Sequence, residues 1–323
     1  MNEQWRNMEL SYIREMGNPE THVTERELVV LLPVGCYWAK KDKSCSYCGY
    51  QPVVDAFIEE YGNVDYVEII KNEVAKQEQP FQRITFFVGG SFLEIPPKKQ
   101  IEIMEYVDTL PVNHVFFESR PELITKENIE AVKNCLHDKE LMVAIGLETS
   151  DATIRNEVHK KGIENKTYLK GINILNNAGI KTLIYVFLKP PVADITDRTA
   201  YEDGINTIRY AFETGAYAVE IESGYIVENS AMQKLYNNGH YQCLSLWTIH
   251  KVVQDAIKLN MGICRLAYFS DTPEPLVIPQ SCPECSERLY EVFDLYRKTL
   301  DENIIFNVDD CKCKEKWKEE FYS

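Results

Sequence analysis

The chain has 323 residues, 45% hydrophobic and 26% charged, the balance of an ordinary globular protein able to bury one large core or two modest ones. No run of about 18 apolar residues occurs, so no membrane span is expected. With 35 Lys+Arg against 50 Asp+Glu the net charge is -15, which runs against the basic footprint of a nucleic-acid binder and leaves only local lysine groups.

The opening MNEQWRNMEL has no basic stretch followed by an apolar one, so no secretory signal is expected. Ten cysteines in such a chain point to a reducing, cytoplasmic setting and to metal in place of disulfides. Seven of them fall in short-spaced groups, whereas Cys135, Cys243 and Cys264 stand alone and read as small core residues.

Residues 1–22 have the spacing of an amphipathic lead-in helix ended near Gly17-Asn18-Pro19, within a leading segment 1–27. Leu28 to Val34 then reads as a buried strand followed by Gly35. Next comes GCYWAKKDKSCSYCGY, which sets Cys36, Cys45 and Cys48 in a C-x8-C-x2-C pattern. Three thiolates on one loop can hold three irons of a cubic [4Fe–4S] cluster and leave the fourth iron open to a cofactor or substrate. A zinc knuckle with its fourth ligand elsewhere fits the spacing as well.

Beyond the loop, strand-like runs at 84–88, 114–117, 142–147, 182–188 and 218–221 alternate with helical spacing near 64–77, 97–109, 121–136, 165–178 and 197–213. Such alternation implies βα units and a parallel sheet, because parallel neighbours need a crossover. Six units over residues 28 to about 240 are too few for a closed eight-stranded barrel. The expected fold is therefore α/β, a partial (β/α)6 TIM-like barrel over 28–260 with a cysteine-rich extension over 261–323. The strand-like runs end at Gly89-Gly90-Ser91, Glu118-Ser119-Arg120, Glu148-Thr149-Ser150, Lys189-Pro190-Pro191 and Glu222-Ser223, which would converge on one mouth together with the cysteine loop.

Near the end, Cys282, Cys285, Cys311 and Cys313 form C-x2-C-x25-C-x-C around a helical stretch at 289–300. Their number suits a closed four-thiolate zinc site, with a second iron–sulfur cluster and free thiols as the alternatives. Lys312, Lys314, Lys316 and Lys318 read as a solvated face.

These residues resemble the radical S-adenosylmethionine (SAM) superfamily, in its Elp3-like branch. Cys36, Cys45 and Cys48 look like the cluster triad, and Tyr47 occupies the aromatic position before the third cysteine, near the adenine. Gly89-Gly90-Ser91 is similar to the glycine-rich motif that receives the SAM amino group. The resemblance implies that Glu148 contacts the ribose or amino group and that Arg120 or Arg155 contacts the carboxylate, with Glu118 and Lys189 at neighbouring strand ends. Cys45-Ser46-Tyr47-Cys48-Gly49-Tyr50, Gly90-Ser91-Phe92-Leu93-Glu94, Glu118-Ser119-Arg120-Pro121-Glu122, Lys161-Gly162, Lys189-Pro190-Pro191 and the C-terminal cysteines with Trp317 resemble the archaeosine-synthesis radical SAM family. That likeness implies a tRNA partner, an electron-donor protein, and cleavage of a lysine C–N bond on a 7-deazaguanine. Two other readings stand beside it: radical SAM chemistry on a small molecule or peptide, and a binding protein whose cysteines are purely structural.

Overall fold

The computed structural model describes residues 9–41, 43–269 and 274–323. Eight strands form one curled sheet in sequence order: β1 (Ser11–Gly17), β2 (Thr24–Leu31), β3 (Arg83–Phe87), β4 (His114–Glu118), β5 (Glu140–Glu148), β6 (Lys181–Leu188), β7 (Ala218–Ser223) and β8 (Ile263–Leu266). β1 is antiparallel to β2, and every later neighbour is parallel. The partial barrel expected from the alternation is present, with one more parallel strand than the six anticipated.

Helices α1 (Gln51–Tyr61), α2 (Tyr66–Ala75), α3 (Pro97–Asp108), α4 (Lys126–Asn134), α5 (Asn165–Asn177) and α6 (Asp197–Glu213) connect the strands through α6. After β7 come α7 (Ala231–Asn237) and α8 (Leu246–Lys258), and after β8 come α9 (Pro283–Thr299), α10 (Glu302–Phe306) and α11 (Lys312–Tyr322). Thr125, Thr196 and Ser230 begin α4, α6 and α7 by accepting a backbone N–H in the first turn, which satisfies one of each helix's unpaired donors.

Two expectations are corrected. Residues 11–17 of the anticipated lead-in helix are strand β1, while residues 1–8 lie outside the described residues. Seven pairings from Ser11↔Val30 to Gly17↔Thr24 outweigh the local helical spacing, and the Asn18 side chain closes the turn by accepting from the N–H groups of Glu20 and Thr21. The anticipated boundary at 260/261 also falls inside the sheet, since β8 pairs with β7 from Ala218↔Ile263 to Ile221↔Leu266.

The outward faces of the strands, such as Ile84, Phe86, Phe117, Ile145 and Ile184, pack under the helices. The inward faces carry a small apolar plug of Phe116, Met142, Ala144, Leu183 and Ala218. The strands are thus buried on both sides, as parallel sheets require. The sheet's outer strands, β1 and β8, do not pair with each other. Instead α9 packs against β1, β2 and β8. Tyr296 donates to the Cys264 carbonyl at 2.5 Å and Arg297 donates to the Ala267 carbonyl at 2.6 Å, while the Thr24 hydroxyl donates to the Lys298 carbonyl at 2.7 Å. Carbonyls along the edge strand that would invite pairing with another chain are covered in this way.

Candidate active site

The carboxyl ends of the strands surround a cavity of about 880 Å³. Cys36, Cys45 and Cys48 line it together with Tyr47, Gly89, Gly90, Glu118, Arg120, Glu148 and Lys161.

The cysteine loop is fixed by its neighbours. Glu94 accepts from the Tyr37 N–H at 2.7 Å and from the Ser91 N–H at 3.1 Å, which ties the loop to the glycine-rich turn after β3. Gly90 has no substitute there, because a Cβ would lie 2.4 Å from the Gly35 carbonyl oxygen and 2.7 Å from Cys36 Cα. Trp38 Nε1 donates to the Lys160 carbonyl at 2.9 Å, and Ser46 N–H donates to the His159 carbonyl at 3.0 Å. Arg120 lies beneath the Trp38 ring at 4.7 Å, donates to the Lys161 carbonyl at 2.6 Å and pairs with Glu122 at 2.6 Å. The loop is therefore held from β3, β4 and the segment after β5, in an otherwise irregular stretch. Burial pushes the Cys48 thiol up to about 12 and raises the Cys45 thiol in the same direction.

Glu148 and Lys161 form a buried ion pair at 2.8 Å, and Lys161 also donates to the Tyr47 hydroxyl at 3.0 Å. Glu148 takes a left-handed backbone with φ of 68°, at a register shift in β5 between Gly146 and Glu148. A non-glycine residue in that region stores strain, which recurs at functional sites. Gly146 makes room for the pair, since a Cβ there would lie 2.6 Å from Glu148 Oε1 and 2.7 Å from Lys161 Nζ. Burial of Tyr47 itself, then the charge of Glu148, raises its phenol well above the usual value. The Tyr47 ring sits 4.7 Å from the Phe187 ring and 5.0 Å from the His159 ring, so its position is fixed on both sides.

Three expected residues stand outside the cavity lining. Arg155 is wholly buried on a single π turn (Ile154–Val158), where it donates to the Thr149 carbonyl at 2.8 Å and the Ile163 carbonyl at 2.9 Å. That makes it an anchor for loop backbone, with its guanidinium spent there. Ser91 is fully buried and accepts from the Arg120 N–H at 2.9 Å. Lys189 pairs with Asp197 at 2.7 Å. In contrast, Lys161, which the sequence offered only within Lys161-Gly162, emerges as a buried cation of the cavity lining, beside Arg120. Its signal was the basic residue beside a glycine, Gly162, whose φ is 63° and where a Cβ would meet the Trp38 ring at 2.2 Å.

The four C-terminal cysteines meet far along the chain from this cavity. Their sulfurs all lie within 4.8 Å of one another, with Cys282–Cys311 at 3.9 Å and Cys285–Cys313 at 3.4 Å. Cys282 precedes α9 and Cys311 precedes α11, so both pairs stand at helix N-termini, where backbone N–H groups favour thiolate. Trp247 Nε1 donates to Cys313 Sγ at 3.2 Å, and Arg288 donates to Cys285 Sγ at 3.6 Å.

The radical SAM superfamily profile matches residues 32–200, just over half of the 323-residue chain. The chain belongs to the radical SAM superfamily. Membership in this enzyme family implies a [4Fe–4S] cluster and SAM as cofactors. Archaeosine synthase subunit beta of Methanosarcina acetivorans is 28% identical over 312 residues, covering 91% of this radical SAM chain and 84% of that protein. The protein of the same name from Thermococcus kodakarensis is 28% identical over 234 residues, 70% of each chain. Among solved structures, an N-terminally deleted Elp3 of Methanocaldococcus infernus superposes with a TM-score of 0.53 at 13% identity, over 72% of this chain and 60% of that one. That last likeness concerns the fold alone.

The cysteine loop of this radical SAM enzyme suits an iron–sulfur group. Among the described residues it presents three thiols and no fourth to one cavity, beside glycine backbone and a buried cation. The C-terminal set, with four thiols closing on one point, could hold a single metal ion. Among the described residues no helix is long and apolar enough to cross a membrane.

Proposed function

We propose that this radical SAM enzyme acts on a tRNA-borne base, cleaving the C–N bond of a lysine-modified 7-deazaguanine to give archaeosine. The observation that carries the reading is the 28% identity to an archaeosine synthase subunit beta across 91% of the chain. Cys36, Cys45 and Cys48 would hold the cluster, which when bound supplies the electron that splits SAM to a 5′-deoxyadenosyl radical.

The chain's own residues do the rest. Gly89 and Gly90 let backbone approach the methionine part of SAM without a side chain in the way. Glu148, held by Lys161, accepts N–H or O–H groups of SAM while Lys161 balances charge next to it. Tyr47 supplies an aromatic edge, and Arg120 fixes the loop from below. The electron donor and the partner that completes the synthase would be separate proteins.

Cys282, Cys285, Cys311 and Cys313 would bind zinc. A tetrahedral ion about 2.3 Å from each thiolate sets sulfurs roughly 3.8 Å apart, close to the spacing of these two pairs. The N–H donors of Trp247 and Arg288 supply the outer hydrogen bonds such thiolates take.

The test is nucleoside mass spectrometry of tRNA with and without the gene. Loss of archaeosine and build-up of its lysine-bearing precursor is the expected result. An unchanged profile sinks the substrate, and the net charge of -15 then favours a small molecule or peptide.

A further inference from the structure

The floor of the cavity carries a belt of charge set below the strand ends. Arg14 of β1 lines the cavity and stands opposite Glu27 of β2, which is level with Arg83 at the start of β3. That level is four residues before the carboxyl end of β3, about 13 Å along the strand. Arg14 Nε donates to Glu27. Both Glu27 oxygens are then engaged, since Thr85 donates to the other and Arg83 lies 3.9 Å from it. The two Nη groups of Arg14 have no acceptor among the described residues. They are not sealed off, because the side chain is 16% exposed and lines the cavity.

The neighbouring groups balance the charge but leave donors over. Arg83 pairs with Glu25 at 2.8 Å. Arg265 of β8 stands level with Glu220 of β7, yet its Nε and Nη2 are buried without a partner among the described residues, as is Arg83 Nε. Glu220 lies near both Arg14 and Arg265 and offsets their charge, without accepting a hydrogen bond from either among the described residues. Glu118 accepts from the Tyr185 hydroxyl at 2.7 Å, and burial raises its carboxyl to about 7, so near neutrality it is in good part uncharged. Glu222, nearer the rim, has a contact of its own. The buried atoms left unpaired in this belt are thus guanidinium N–H donors, and a buried donor without an acceptor is costly.

We propose that the floor of the cavity is a carboxylate subsite centred on Arg14. A carboxylate offers two oxygens to the parallel N–H groups of a guanidinium and brings no donor of its own, which matches what the belt lacks. An ammonium would meet Arg14 and Arg265 as like charges. The subsite deepens the archaeosine reading and rests on it for one point. A lysine joined to the base through nitrogen keeps its carboxylate free, and that group would be the occupant.

The experiment uses the full chain with its cluster reconstituted and SAM saturating. Calorimetry compares hexanoate with hexanamide, which match in shape and differ in charge, and with hexylamine. Hexanoate is expected to bind about tenfold or more tightly than either. Arg14→Lys keeps a cation beside Glu27 but loses the planar fork, and should weaken hexanoate about tenfold with hexanamide unchanged. SAM affinity and melting temperature serve as controls for binding competence and folding. Should the variant not fold, the comparison of probes on the unaltered chain decides. Equal affinity for hexanoate and hexanamide, no binding of hexanoate, tighter binding of hexylamine, hexanoate binding only without SAM, or hexanoate affinity unchanged in folded Arg14→Lys overturns the subsite. Failure to bind SAM would instead strike the radical SAM site, and an unchanged tRNA profile would strike the archaeosine substrate, so the three failures are separable.

Discussion

Two cysteine-bearing regions of this chain solve opposite problems. In the first, three thiols on a loop open onto a cavity, and the loop is held by Glu94, Arg120, the Lys160 and His159 carbonyls and a glycine contact. In the second, four thiols from two helix starts converge within 4.8 Å, away from the cavity lining. An incomplete ligand set leaves room for a reactant, and its geometry has to be supplied by surrounding protein. A complete set supplies its own geometry and holds the chain. Spacing separates them: long and irregular where neighbours do the fixing, short and paired where the metal would.

The sharpest way to break this contrast is to remove one thiol from each. Cys285→Ala is expected to abolish bound zinc and cost about 3 kcal/mol or more of stability, because α9 and α11 lose their common anchor, with iron unchanged. Cys45→Ala is expected to lower iron from about four per chain to near zero with the melting temperature almost unchanged. Parallel metal analysis and thermal unfolding check both; a stability loss of equal size in the two variants would erase the distinction.

Glu148→Gln comes next. It leaves Lys161 buried without its carboxylate, so a loss of about 3 kcal/mol in stability and about tenfold in SAM affinity is expected. Denaturant titration and calorimetry read the two effects, and intact SAM affinity would remove Glu148 from the site. The smallest effect belongs to Glu118, whose carboxyl rises from an ordinary 4.5 to about 7 in the fold. The native state then binds the proton more tightly than the unfolded chain. Its stabilisation is complete below 4.5 and lost as pH rises through 7. Glu118→Gln should flatten that decline by about 2.5 kcal/mol between pH 5 and 8, measured by unfolding across the range; an unaltered slope would locate the titration elsewhere.

Much of this architecture was legible because strand ends and helix starts carry local signals. The runs at 84–88, 114–117, 182–188 and 218–221 lie within one residue of their strands at the start, and α6 spans 197–213 as its spacing indicated. Strand β1 was not legible, since the polar alternation of Ser11–Gly17 acquires meaning only beside β2. Helix α1 carried a readable signal in Pro52 and the spacing of Val53, Val54 and Phe57, next to a loop whose cysteines dominate the reading. Within the site, residue type pointed to Glu148 and Arg120 but not to direction. Arg155 shares Arg120's chemistry and faces backbone carbonyls instead, a difference set by the π turn that carries it. Lys161 needed Glu148 beside it to become a site residue, a contact across 13 positions of irregular chain.

The unpaired margin between β1 and β8 is closed differently from the rest of the wall. Everywhere else the wall is a ladder of backbone hydrogen bonds, and widening it would unzip a strand. Along this margin the closure is a helix laid across the gap and fastened by a few side chains, Tyr296 and Arg297 among them. A wall of that kind depends on side-chain contacts where the rest depends on a backbone ladder, and Cys282 at its start meets Cys311 at the start of α11.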